Sequence, residues 1–90
     1  MARFRVRIEH YDESKPVDTV VVGLGERVRA REELSEEQQS NEELLWAYQV
    51  WLARKRQGLP SVEFDQWWPT VGDCPPALVS PGESPAPPEA

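Results

Sequence analysis

Side chains able to do covalent or acid–base chemistry are few in this 90-residue sequence and lie far apart. His10 is the only histidine and Cys74 the only cysteine, and no local pattern joins them as a base and a nucleophile. The Gly-Leu-Gly sequence at 23–25 lacks both the third glycine of a dinucleotide motif and the Lys-Ser/Thr of a phosphate loop. The acidic residues and the Cys/His pair show no calcium-loop or zinc spacing. We therefore predict a protein that is not an enzyme and that holds no cofactor or metal.

The charge of the chain is acidic overall and unevenly distributed. Sixteen acids against ten bases give a net charge of −6, which argues against nucleic acid or anionic lipid as a partner. Residues 32–43 carry six acids and no base, and residues 44–59 carry three bases and no acid. We interpret these blocks as a solvated segment and a helix-dipole complement, although both could also steer a charged partner. No apolar run approaches the roughly 18 residues of a transmembrane helix, so we expect no membrane partner.

Two β-strands are predicted near the start of the sequence. Phe4, Val6 and Ile8 alternate with arginines, which is typical of a strand with one buried and one solvated face. Val17–Val22 is rich in β-branched residues and follows turn-forming residues, so we expect a hairpin or meander. The segment 26–34 fits either a third strand or a helix, and residues 35–41 indicate a solvated loop because none of them is apolar.

The clearest predicted element is a helix over residues 41–57. Ser40 and Glu43 have the spacing of a capping box, and three basic residues lie in the last turn. Gly58 and Pro60 then mark the C-terminal end of this helix.

A short second helix is predicted between a cap at Ser61 and a stop at Pro69, with Phe64, Trp67 and Trp68 at helical spacing. Six of the nine prolines lie in the last sixteen residues, a density that excludes a helix or a central strand. We therefore predict one small α+β domain over residues 1–73, in which a β-hairpin packs on two to three helices. Residues 74–90 are predicted to form a disordered, Pro-rich tail.

The main helix is apolar all round, so both of its sides must be covered. Its wider apolar face, which includes Tyr48 and Trp51, is predicted to dock on the hairpin. The opposite face then either binds another chain or is covered by the aromatic residues of the short helix. Adjacent aromatic residues such as Trp67 and Trp68 usually divide between core and surface. The candidate partner-binding residues are Trp46, Val50, Trp51, Ala53, Trp67 and Trp68.

The order of these features resembles the tail assembly chaperones of long-tailed bacteriophages, especially the small ones of actinobacterial phages. The resemblance rests on the opening strand at 1–9, the Arg-Val-Arg sequence at 27–29, the aromatic block Leu44–Leu59 and the Phe/Trp segment at 62–68. It covers about residues 3–72. The block Leu44–Leu59 is the most specific part, because it ends in the basic-Gly-Leu signature of that family. Ala30 departs from the family, whose members often carry an aromatic residue there.

This resemblance implies a fold, a function and partners. It favours a helix over 26–34 and implies binding to the tape measure protein, which is kept soluble while tail tube subunits assemble around it. The tail tube protein and a second copy of the chain are further expected partners. The protein would act in the cytoplasm of the infected host, which suits its single cysteine, and would be absent from the mature virion.

Members of this family are often made in two lengths by ribosomal slippage, and a longer form of this chain is one possibility. Two other functions stay open. One is a minor structural or connector protein of the virion. The other is an acidic inhibitor that mimics DNA, which net charge favours but which requires carboxylates on a folded face.

Overall fold

The computed structural model describes residues 3–79, in which an antiparallel sheet is covered on one face by helices. This arrangement confirms the α+β fold with an N-terminal hairpin. The elements in chain order are β1 (Arg3–His10), β2 (Asp18–Val22), α1 (Leu24–Glu33), α2 (Glu36–Gln39), α3 (Glu42–Arg56), α4 (Phe64–Trp67), a 3₁₀ turn (Trp68–Thr70), β3 (Val71–Asp73) and β4 (Pro76–Val79).

The hairpin forms as the alternation predicts. β1 and β2 pair antiparallel, with Phe4 opposite Val22 and Ile8 opposite Asp18. Val6 and Ile8 are fully buried because every second residue of a strand points to the same face, and that face meets the helices. Arg3 and Arg7 are exposed, as expected for the opposite face.

The second edge of β1 is occupied by two short strands. Asp73 of β3 lies opposite Glu9, and Pro76 and Val79 of β4 lie opposite Val6 and Arg3. The sheet therefore extends past the boundary predicted at residue 73. Proline is tolerated in β4 because this strand lies at the edge of the sheet, where one side needs no ladder donor. The rest of the predicted tail, residues 80–90, lies outside the described residues.

The segment between the hairpin and the main helix is helical. α1 covers 24–33, as the resemblance favours, and Ala30 is fully buried, so a small residue fills this position against the core. The predicted loop at 35–41 is wrong in part, because four of its residues form α2. Its Ser35 and Gln38 form a reciprocal capping box, with N–O distances of 2.9 and 3.1 Å.

Both ends of α3 have identifiable caps. Its N-cap is Asn41, whose Oδ1 accepts from the Leu44 amide at 3.2 Å, and not the predicted Ser40. Its C-terminal end at Gly58 is confirmed: that residue has φ of 79°, and the Leu59 amide donates to the Arg54 carbonyl at 3.0 Å. This is a Schellman motif, in which glycine adopts the left-handed backbone without a steric cost.

The short aromatic helix also begins and ends differently from the prediction. Its N-cap is Glu63, and Ser61 Oγ instead donates to the Leu59 carbonyl at 3.1 Å. Pro69 does not end the helical backbone, which continues as the 3₁₀ turn. Proline fits there because the first turn of a helix needs no amide donor.

The two faces of α3 are used in the opposite way to the prediction. The face of Val50 and Ala53, both fully buried, packs in the core with the strand valines. The face of Tyr48 and Trp51 is covered by Phe64, with ring centres 5.0 and 5.7 Å away. Small side chains allow a helix to approach a sheet closely. The bulky aromatic face of α3 packs instead against another aromatic residue.

Candidate functional site

The structure separates the six predicted partner-binding residues into three groups. Val50, Trp51, Ala53 and Trp67 are buried within the chain, so the folded protein does not present them to a partner. Trp46 is half-buried, and Trp68 is 45% exposed. The expected division of the adjacent tryptophans, one to the core and one to the surface, is confirmed.

The two accessible tryptophans line one cavity of about 540 Å³. We call it the aromatic groove. Tyr11, which is 75% exposed, joins them there. The groove is lined mainly by Tyr11, Trp46, Ala47, Trp68, Val71 and Cys74.

The indole of Trp46 forms a fixed wall of the aromatic groove. Its Nε1 donates to the Cys74 carbonyl at 2.7 Å, and the edge-to-face contact with Phe4 has centroids 5.8 Å apart at 86°. These two contacts hold both the edge and the face of the ring, since a buried indole N–H needs an acceptor and perpendicular aromatic packing is favourable. The wall is therefore rigid before any partner binds.

Trp68 and Tyr11 are held at the rim by backbone contacts. Thr70 Oγ1 donates to the Trp67 carbonyl at 2.7 Å, which steadies the 3₁₀ turn that carries Trp68. The Tyr11 amide donates to the Thr70 carbonyl at 3.0 Å. Gly72 lies under the Tyr11 ring, so that a Cβ at this glycine would lie 3.5 Å from Tyr11 Cδ1. Both rings consequently stand at the surface on an ordered backbone.

The electrostatic character of the aromatic groove is acidic. Glu43 and Asp73 line it and are exposed, and its lining within residues 3–79 includes no basic residue. Burial raises the pKa of the Cys74 thiol, and the neighbouring Asp73 charge raises this pKa further. The groove thus offers apolar rings beside negative charge, and it suits a ligand that combines apolar and basic groups.

Sequence reasoning did not identify Tyr11 as part of the site, because it follows β1 among turn-forming residues. The available signal was the large apolar ring itself, which stands out among the charged and small residues of a solvated turn. Tyr11 lies near Trp46 because β3 pairs with the end of β1. The spacing of residues in the sequence does not predict that pairing.

A second aromatic cluster holds the buried tryptophans in place. Trp51 Nε1 donates to the Val62 carbonyl at 2.9 Å, and Tyr48 Oη donates to Glu33 Oε1 at 2.5 Å. Burial, followed by the bond to the Glu33 carboxylate, raises the pKa of Tyr48 to about 12. Phe64 lies between these rings and Trp67. This cluster has the contacts of a structural core, and Trp51 is only 7% exposed.

The histidine and the cysteine, which are the candidate base and nucleophile, do not lie together. His10 and Cys74 line two different cavities. Within residues 3–79, no three His, Cys, Asp or Glu side chains lie where they could hold a metal ion together. In the same part of the chain, no helix has the length and apolar character needed to cross a membrane.

Comparisons of the chain with protein-family models, with curated proteins and with solved structures found no match.

Proposed function

We propose that this chain is a tail assembly chaperone of a long-tailed bacteriophage, which binds the tape measure protein and keeps it soluble while the tail tube assembles. The observation that carries the proposal is the aromatic groove. Its rim tryptophan and tyrosine are exposed on an ordered backbone, and its wall at Trp46 is fixed by two contacts. Tyrosine and tryptophan are among the residues that contribute most to protein–protein binding energy.

The binding mode follows from the shape and charge of the aromatic groove. An amphipathic client helix would place apolar side chains, three or four residues apart, against Trp46, Trp68 and Tyr11. Lysine or arginine residues flanking those side chains would meet Glu43 and Asp73. Binding of this kind is passive and uses no nucleotide.

The size of the aromatic groove suits a client that must be released. The groove is lined by ten residues, fewer than the roughly 20–30 per partner of a standard interface, and such small interfaces are typical of weak or transient complexes. A transient complex is what a chaperone needs, because the tail tube subunits must later replace it along the client. In this proposal the tail tube protein and a second copy of the chain are further partners.

The acidic surface gives the proposed complex its solubility. The six acids at 32–43 are all exposed, and they lie on the end of α1, on α2 and on the start of α3. Added acidic residues improve solubility more than basic ones do. We place this activity in the cytoplasm of the infected host, with the protein lost before the virion matures.

Co-purification with a tape measure fragment encoded in the same genome tests the proposal. Trp68→Ser combined with Tyr11→Ser should abolish co-purification and leave the circular dichroism spectrum unchanged, because both side chains are exposed. Val28→Ser is the matched control, since Val28 is 47% exposed on α1 and does not line the groove. If the parent chain, the double variant and the Val28→Ser control recovered equal amounts of the fragment, the aromatic groove would not be the client-binding site.

Two further observations distinguish this function from a virion component. A tape measure gene downstream and a slippery sequence near the 3′ end of this gene would support the chaperone. Mass spectrometry of purified particles should not detect the chain. Its presence in stoichiometric amounts would instead identify a structural or connector protein.

A second candidate function, an acidic inhibitor that mimics DNA, is favoured by one observation. The six acids at 32–43 all lie on folded helices, whereas residues 35–41 are predicted from the sequence to form a solvated loop. This function predicts binding to a basic protein that Glu36→Gln with Glu37→Gln weakens and that Trp68→Ser leaves unchanged. The chaperone proposal predicts the opposite pattern.

A further inference from the structure

The aromatic groove carries two carboxylates that the protein itself does not neutralise. Glu43, in the first turn of α3, and Asp73, at the end of β3, both line the groove and are exposed. Neither side chain forms an ion pair within residues 3–79. Asp18 and Glu26, by contrast, each pair with an arginine of α3. The groove therefore holds two negative charges that a bound cation would neutralise.

The charge of Asp73 acts on the lining of the aromatic groove. Cys74 lines the groove, and burial, followed by the Asp73 charge, raises the pKa of its thiol. No basic side chain offsets these acids, since the lining includes none within residues 3–79. The net charge of −6 on the whole chain adds to the attraction of a cation towards this surface.

The aromatic groove also presents open rings beside these charges. Tyr11 and Trp68 are the two exposed aromatic side chains within residues 3–79, and both line the groove. A cation placed over the face of a tryptophan or a tyrosine is attracted by the negative charge of that face. The fold itself contains such a contact, because Lys55 Nζ lies 4.3 Å from the centre of the Trp51 ring.

Arginine is the side chain whose chemistry fits both the rings and the carboxylates. Its guanidinium is planar and weakly hydrated, stacks on aromatic faces, and carries five donors that can serve two carboxylates at once. The ammonium of lysine is a compact and strongly hydrated charge, so it gains less from a ring face. We propose that the aromatic groove is an arginine-selective peptide site, in which the guanidinium stacks on Tyr11 and Trp68 and pairs with Glu43 and Asp73.

The remaining walls of the aromatic groove suit aliphatic neighbours of that arginine. Trp46, Ala47 and Val71 line this part of the groove and offer apolar surface. The preferred ligand is therefore a short segment in which an arginine lies next to large aliphatic residues. In the proposed function, on which this assignment rests for its choice of client, the client helix would carry such an arginine.

Three peptides that differ at one position test the assignment: acetyl-Leu-Arg-Leu-amide and its lysine and citrulline counterparts. Citrulline keeps the planar shape of arginine without its charge. Each peptide is titrated into the full chain, and the indole N–H signals of the four tryptophans are followed by NMR. The arginine peptide should bind about three- to tenfold more tightly than the lysine peptide, and about tenfold more tightly than the citrulline peptide. Ring currents should also move its arginine δ-methylene protons upfield.

Two results would overturn the arginine site. One is equal affinity for the arginine and citrulline peptides, and the other is lysine binding as tight as arginine binding. If either occurred while Trp68→Ser with Tyr11→Ser still abolished recovery of a tape measure fragment, the chaperone would stand and only the arginine assignment would fall. Selective arginine binding without recovery of the fragment would keep the site and reject the chaperone.

Matched charge variants locate the carboxylates. Glu43→Gln with Asp73→Asn removes both charges and keeps the shape of the side chains, so the preference for arginine over citrulline should fall below about twofold. Glu37→Gln with Asp65→Asn makes the same change at exposed acids outside the aromatic groove and should leave that preference intact. The same loss of preference in both double variants would contradict a local role for Glu43 and Asp73.

Matched ring variants locate the stacking contact. Tyr11→Leu with Trp68→Leu keeps apolar side chains at the rim but removes both ring faces. The upfield shift of the δ-methylene protons should then disappear, together with the advantage of arginine over lysine. Tyr11→Phe with Trp68→Phe retains two ring faces and should keep both effects. A shift that persists in the leucine variant would refute stacking on these rings.

Discussion

Replacing Val50 by alanine should destabilise the protein strongly, because this side chain is fully buried between α3 and the sheet. The change removes the equivalent of two methylene groups, each worth about 0.8 kcal/mol of transfer free energy. The cavity left behind adds to this loss, so we expect a decrease of about 2–3 kcal/mol in the free energy of unfolding. Alanine is the best helix former, and the helix itself is therefore not weakened.

Urea unfolding followed by circular dichroism and tryptophan fluorescence measures this loss. With an m-value of about 1 kcal/mol/M, the urea midpoint should fall by about 2–3 M, and the melting temperature should fall by roughly 10–20 °C. Val28→Ala is the control because it makes the same change on an exposed side chain, and its effect should stay within about 0.5 kcal/mol.

The experiment also decides which face of α3 is internal. If Val50 faced a partner, which is one of the two alternatives that the sequence leaves open, Val50→Ala would unfold like the control and would lose client binding instead. A change below about 0.5 kcal/mol, together with lost co-purification, would therefore refute the packing described above. A large loss of stability would exclude Val50 as a contact residue for any partner.

Three further predictions concern single side chains. Cys74 should react with iodoacetamide more slowly than a free cysteine at mildly alkaline pH, because burial raises its pKa, and a client peptide in the aromatic groove should slow this reaction further. Tyr48 should ionise near pH 12, and Tyr48→Phe should remove that phase from the tyrosinate absorbance. The folded state holds the Tyr48 hydroxyl proton more tightly than the unfolded state, whose pKa is the ordinary 10.0. The free energy of unfolding of the parent chain should therefore fall as pH rises from 10 towards 12, and that of Tyr48→Phe should fall less. Gly58→Ala should lower the free energy of unfolding, measured in urea, by about 1 kcal/mol, because a φ of 79° strains an alanine. Gly25→Ala is the control and should not lower it, because Gly25 lies in α1 and a Cβ there meets open space.

Local patterns predicted the elements whose causes are local. The alternation of Phe4, Val6 and Ile8 identifies a strand because period two is a property of the backbone. Gly58 likewise marks the end of α3, because the left-handed cap needs glycine at one position. The cap at Asn41 was missed because Ser40, one residue earlier, is an equally good capping residue with an acid three positions later.

The orientation of α3 could not be predicted because the helix is apolar on every side. A polar stripe normally identifies the solvent face, and between Leu44 and Ala53 the only polar side chain is Gln49, which is itself buried. One signal was present: Arg54 lies four residues after Val50 and so continues its stripe into the core. The cavity beside Arg54 joins residues up to 60 positions apart, such as His10 and Thr70, and no local pattern carries that information.

The strand order also has a consequence for synthesis on the ribosome. β1 is made first and pairs with β2 after only 22 residues, whereas its other edge is completed by β3 and β4 at residues 71–79. Until β3 and β4 have been made, the nascent hairpin therefore carries an open edge that other strands could join. The wall of the aromatic groove is completed at the same late moment, since the acceptor for Trp46 is the Cys74 carbonyl. Binding competence should consequently appear only once residues 71–79 have emerged from the ribosome.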